Sequence, residues 1–215
     1  FLTERKENLK PEECIAICDF SENYASVIQD SVQGYIATIH PFVIYFKENN
    51  SLNNKFVAIS ESLKYNTNTI HLFQRQLASI PKKEIRDPKK IICFSDGASS
   101  QYKNRNIFVN TCFHEQDIGV SVEWHFFATS QGKGPCGGIR GSIKRLATKA
   151  SLQPGQDPIT TPRKLFTWAQ HDISNTMFNL FTVNQHKQES VIFRQDMKTK
   201  NWHIKATLFV ASINI

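Results

Sequence analysis

The apolar positions of this chain fall into two rhythms. Residues 13–20 (ECIAICDF) and 90–95 (KIICFS) are apolar at almost every step, the pattern of strands covered on both faces, and each run stops abruptly in polar, turn-forming residues. Residues 36–46 also read as a strand, but Pro41 has no amide to give to a ladder, which places the start of the paired segment at Phe42. After the Asn-rich turn at 49–54, residues 55–60 return as the hairpin partner, while 21–35, polar and containing Gly34, read as a loop. The helical rhythm begins with Ile70, Phe73, Leu77 and Ile80, opened by Asn66 or Thr67 and closed by Pro81.

A second helix, capped by Ser99 or Ser100, turns Phe108, Val109, Cys112 and Phe113 inward and stops near Gly119. Strand 120–128 and a loop at 129–134 precede a third helix, started by Pro135, with Ile139, Ile143, Leu146, Ala147 and Ala150 along one side. Three strands followed by alternating helices and strands predict a mixed five-stranded sheet: an antiparallel hairpin triplet plus parallel strands, with helices on its faces. That order resembles the ribonuclease H-like domains. The expected organisation is a linker or upstream helix end at 1–12, a core at 13–155 and an irregular C-terminal extension at 156–215. The extension is read as a helix opened by Thr161 and Pro162, then a hairpin pairing 191–193 with 202–213.

Composition changes this picture in three ways. A formal net charge of +7 and a pI near 9.2 favour an anionic partner, nucleic acid ahead of a membrane surface, because the cations are interleaved with core residues. Five cysteines without regular spacing do not form a disulfide framework, so a reducing, intracellular setting is expected. Cys14, Cys18, Cys112, His114, His125 and Cys136 lack the paired spacing of a zinc site, and the glycines around Lys133 lack the GxxxxGK[ST] pattern of nucleotide hydrolysis. No run is apolar for long enough to span a membrane. Starting at Phe1 and ending in an apolar run at Ile215, the sequence reads as a piece of a longer chain.

The candidate chemistry lies in Asp19 and Asp96, which end the first and fourth strands. In the expected order those strands are parallel neighbours, so both carboxylates emerge at one edge, where two hard oxygen donors suit Mg²⁺ or Mn²⁺. From Trp124 to Gln156 there is no Asp or Glu, and the helix in that stretch carries Arg140 with Lys144 and Arg145 with Lys149 at four-residue spacings. These two stripes, with Lys103 and Lys133 nearby, are the expected contact with a phosphate backbone. Glu123, on the fifth strand, is the available substitute acid. A merely solvated basic face and strand-end aspartates that only cap turns are the plainer readings of the same residues.

The segments DFSENY, TIHPF, FSDGASSQYKN and WHFFATSQGKGPCGGIRGSIKRLA resemble a group of animal proteins derived from mobile elements, which are similar to transposases of the acidic-triad type. The resemblance covers about residues 12 to 185. It implies a ribonuclease H-like core, Asp19 as first catalytic acid, Asp96 as second, Mg²⁺ or Mn²⁺ as cofactor, DNA as partner and the nucleus as location. The corresponding stretch usually has an aspartate directly after the Pro-Cys pair, and here that position is Gly137. The departure predicts an impaired site, because losing a ligand costs more than the ~10- to 100-fold typical of losing a ligand's support. A non-catalytic scaffold for a protein partner, a homo-oligomer, and an unselected remnant stay open beside the DNA-binding reading.

Overall fold

The structure, a computed structural model, describes residues 1–19, 23–28, 31–47, 53–64, 66–85, 87–98, 102–127 and 134–200. The two continuous apolar runs become β1 (Glu13–Cys18) and β5 (Lys90–Ser95), lying side by side and parallel at the centre of the sheet, with Ile17 opposite Phe94. Their burial on both faces is what such a run requires: Cys14, Ala16 and Cys18 face one core, Ile15 and Ile17 the other. β3 (Ser31–Phe46) and β4 (Asn53–Ser60) form the predicted antiparallel pair, and β6 (Ser121–Phe126) runs parallel to β5. The ladder between β3 and β4 passes straight through Pro41, opposite Val57, rather than starting at Phe42. Antiparallel pairing uses the amides of only alternate residues toward any one neighbour, so a proline can sit at a position that owes none.

The sheet has seven strands rather than five: with β2 (Asn23–Ile28) paired to β3 and β7 (Met177–Phe181) beyond β4, the order is β6-β5-β1-β3-β4-β7. Within it, β4-β3-β1-β5-β6 is the expected ribonuclease H-like arrangement of an antiparallel triplet flanked by parallel strands. The two additions correct the sequence reading. β2 (Asn23–Ile28) lies where a loop is expected. It pairs with the first half of β3 across two register shifts, so its side chains do not alternate cleanly enough to be read as a strand. β7 (Met177–Phe181) runs parallel to β4, so the chain beyond 155 joins the same sheet.

Helices cover both faces. Asn66 accepts the Thr69 amide at the head of α2 (Thr67–Ser79), and Asn104, rather than a serine, accepts two amides at the head of α4 (Arg105–Ile118); Ser99 and Ser100 lie outside the described residues. Gly119, at φ 80°, closes α4 in the left-handed conformation that a side chain would resist. These helices pack on the face of Cys18 and Phe42 with α7 (Val183–Thr199), which carries a Thr182/Gln185 capping box. Residues 191–193, expected as a strand, lie in α7: Phe193 and Met197 pack on Val109 of α4, and buried Glu189 meets His71 at 2.5 Å and Arg75 at 3.1 Å. The other face carries α5 (Pro135–Ser151) and α6 (Pro162–Asp172), whose Ile143, Ala147, Leu165 and Ala169 are buried against β3 and β4. Short helices α1 (Leu2–Glu7) and α3 (Pro81–Glu84) complete the order.

Candidate functional site

In parallel strands, residues two steps beyond the Ile17/Phe94 pair stand level with each other, which brings Asp19 and Asp96 to the carboxyl edge of the sheet about one strand spacing, ~4.8 Å, apart at the backbone. β1 and β2 pair with successive stretches of the same side of β3, and Asp19 falls in the break between them. Asp19 therefore has no ladder partner on β3. Both acids are partly desolvated. Burial lifts the Asp19 carboxyl above its ordinary range, the Arg140 guanidinium opposes that, and the charge of Asp96 adds to it. Burial also lifts Asp96, against the Ala98 amide, and one of its oxygens is buried with no hydrogen-bond partner among the described residues.

The floor beneath the acids is made of groups kept neutral by burial. Tyr102, fully buried, brings its hydroxyl to 3.3 Å from His40 Nε2, and the same residue interacts with the Cys18 thiol. Burial pushes the His40 imidazole down to about 3, against the opposing pull of the Asp19 backbone. Cys18 Sγ contacts the Phe94 carbonyl at 3.6 Å. Trp124 Nε1 donates to Ser95 Oγ at 2.9 Å, and that hydroxyl donates to the Asp96 carbonyl at 2.9 Å, which fixes the end of β5. Sequence reasoning misses Tyr102. The signal was an aromatic residue inside the polar stretch that follows Asp96, where a solvated loop would not need one.

α5 forms the third wall. Pro135 takes its first position, and Cys136, whose burial pushes the thiol up to about 12, donates to the Ile17 carbonyl at 3.3 Å, pinning the first turn to the end of β1. Gly137 follows in that turn, and a Cβ built on it would meet nothing within 4 Å. One turn on, Arg140 turns back to the acids, its Nη1 3.9 Å from Asp19 Oδ2. Arg140 therefore belongs to the acid pair, which departs from its expected place on an outward stripe. Lys144 likewise reaches the Asn23 carbonyl at 3.3 Å. Arg145, Lys149 and Lys103 are exposed, with the Lys103 ammonium 5.7 Å from the Phe126 ring, and Lys133 lies outside the described residues.

Glu123 is not brought to this site. The register sets it level with Ile92 and Ile15, four positions before Asp19, or ~13 Å down the sheet. There Arg5 at 2.6 Å, His125 at 2.6 Å and Lys90 at 3.4 Å hold it. Burial alone would raise its carboxyl, and these partners bring it below its usual range instead. Its role is to tie α1 to the sheet.

Among the described residues the donor set does not fit a two-ion centre. Two divalent ions would bring four positive charges to two carboxylates, and the Arg140 guanidinium already supplies one there. No group of three His, Cys, Asp or Glu side chains suited to a metal occurs among the described residues. The buried Asp96 oxygen suits a cation, and Asp19 is the carboxylate beside it among the described residues.

Fold and site together define a ribonuclease H-like α/β domain with two acids converging at the carboxyl edge of its central strands. The chain belongs to the family described as Domain of unknown function (DUF8701), which matches residues 1–210. No curated protein matches it. Among solved structures it is similar to the human cytomegalovirus terminase nuclease domain, at 7% identity over 99% of this chain and 86% of that chain, with a TM-score of 0.31. A likeness of that size carries no functional weight. No helix among the described residues is long and apolar enough to cross a membrane.

Proposed function

We propose that this chain is a transposase-derived nucleic-acid-binding domain in which a two-metal phosphodiester cleavage and strand-transfer site has lapsed. The observation that carries the reading is the trio at the carboxyl edge. Asp19 and Asp96 converge there, Gly137 leaves an open place on the facing helix turn, and Arg140 supplies the positive charge one turn further on. With its charge partly neutralised from within, the acid pair no longer calls for cations, and the domain holds nucleic acid without cutting it. Lys103, Arg145 and Lys149, exposed around the same helix and edge, are the groups free to meet phosphates, and such contacts position a backbone without reading its sequence. A domain of this kind works in the nucleus.

The test has two arms. Binding of a labelled DNA duplex, followed by anisotropy against salt, is expected to weaken with a log-log slope of about −3 or steeper, from ~0.9 per phosphate contact. Supercoiled plasmid with Mg²⁺ or Mn²⁺ is expected to stay intact with the unmodified chain and to be nicked only after Gly137→Asp. A flat salt response removes nucleic-acid binding from the account, and efficient nicking by the unmodified chain removes the lapsed site.

A further inference from the structure

β4 is parallel to β1, since both run antiparallel to β3, and β7 is parallel to β4. The ends of all three therefore lie at the edge that carries Asp19. Beyond β4 and β7 the chain enters α2 and α7, and between these helices runs a groove of about 460 Å³. Its charged lining is Lys64 on one wall and Lys187 and Arg194 on the other, with Asn66, Asn68 and His186 between them and no carboxylate. All three cations are exposed, and none forms an ion pair among the described residues.

The absence of acids follows from how α7 is divided. Glu189 is buried on the inner side against His71 and Arg75, and Asp196 lines the neighbouring crevice with Arg75 and Asp117. Val183, Lys187, Ser190, Val191 and Arg194 share the remaining stripe, at spacings of three and four. Lys187 and Arg194 are thus two helical turns, ~10.5 Å, apart along the groove. Glu61, three residues before Lys64, accepts the Val183 amide at 3.0 Å and lies beside the groove rather than in its lining. A solvated helix face mixes charges of both signs, and this one does not. His186, 2.7 Å from Ser60 Oγ and lowered by burial, adds hydrogen bonding and no charge. On the side of the acid pair, Thr67 at the head of α2 meets Asn104 at the head of α4, at 3.5 Å, and β4 stands two strand spacings, ~10 Å, from β1.

We infer that the groove between α2 and α7 is a phosphate-backbone track for nucleic acid, with Lys64, Lys187 and Arg194 as its contacts, continuing along the edge from the acid pair. The inference rests on the nucleic-acid reading above and adds a surface on the opposite face of the sheet from Arg145 and Lys149. The three side chains can contact phosphates on one strand of a duplex as it leaves the acid edge, and they give no base-specific contact.

The experiment compares salt dependence of binding to a fluorescein-labelled DNA duplex for the unmodified chain, the triple variant Lys64→Gln/Lys187→Gln/Arg194→Gln, and Arg145→Ala/Lys149→Ala. Three lost contacts lower the magnitude of the slope by about 2.7, so over a fourfold rise in salt the triple variant loses about 40-fold less affinity than the unmodified chain. A triple variant that melts like the unmodified chain and keeps its slope overturns the track, while a slope lost only in Arg145→Ala/Lys149→Ala leaves the earlier reading standing without it. Should the triple variant not fold, Lys64→Gln alone is expected to lower the slope by about 0.9, and an unchanged slope overturns the proposal. No salt-dependent binding by the unmodified chain defeats the earlier reading itself. Polyglutamate competing as well as duplex at equal charge overturns nucleic acid as the occupant.

Discussion

Replacing Gly137 with aspartate puts a third acid at a place where the fold has room for it. The new Cβ meets nothing within 4 Å, so no packing cost arises. In the first turn of α5 the change exchanges the poorest helix former but proline for a residue a few tenths of a kcal/mol better, and a carboxylate there gains about 0.3–1 kcal/mol from the helix dipole. Against this stands repulsion from Asp19 and Asp96, screened by solvent and opposed by the Arg140 guanidinium. The metal-free variant should therefore lie within about 1–2 kcal/mol of the unmodified chain. Mn²⁺ at about 100 times its dissociation constant would add ~2.7 kcal/mol, and a domain of this size gains roughly 2–4 °C per kcal/mol, so the melting temperature should rise ~5–10 °C and fall back with chelator. Arg140→Ala in the same background should sharpen the response. Equal Mn²⁺ shifts in the unmodified chain and Gly137→Asp would refute the claim that the third ligand is what the site lacks. No shift in Gly137→Asp/Arg140→Ala would refute the placement of Gly137 beside the acids.

Two further predictions concern the scaffold. His40 is held neutral, with a folded value of about 3 against 6.5 unfolded, so its contribution is complete above pH ~6.5 and is lost as pH falls toward 3, at about 1.4 kcal/mol per pH unit; urea titrations should show that acid-side slope, and His40→Gln should lessen it. Glu189→Ala leaves His71 buried without its acid and should cost about 3 kcal/mol or more by chemical denaturation, whereas a change below ~1 kcal/mol would mean that α7 does not dock as described.

The central strands were legible because burial on both faces leaves an unmistakable mark, an apolar residue at nearly every step, and Asp19 and Asp96 stood out at the ends of ECIAIC and KIICFS. The start of α5 was legible from Pro135. β2 was not, because an edge segment with register shifts shows neither alternation nor a continuous apolar run. α7 was hidden for a different reason: one of its inward positions is Glu189, which breaks the apolar stripe, so the short run Val191, Ile192, Phe193 looked like a strand. Arg140 and Lys144 show the limit of spacing arguments. Four-residue separation puts them on one helix face, but what that face meets, here Asp19 and the Asn23 carbonyl, depends on contacts more than a hundred residues away in the chain.

The account stands on Asp19 and Asp96 sharing one cleft with Arg140, and the titration of the Asp19 carboxyl carbon by NMR reads that arrangement directly. The prediction is an Asp19 value above the ordinary carboxylate range that falls in Asp96→Asn and rises in Arg140→Ala. An Asp19 titration indifferent to both substitutions would contradict it.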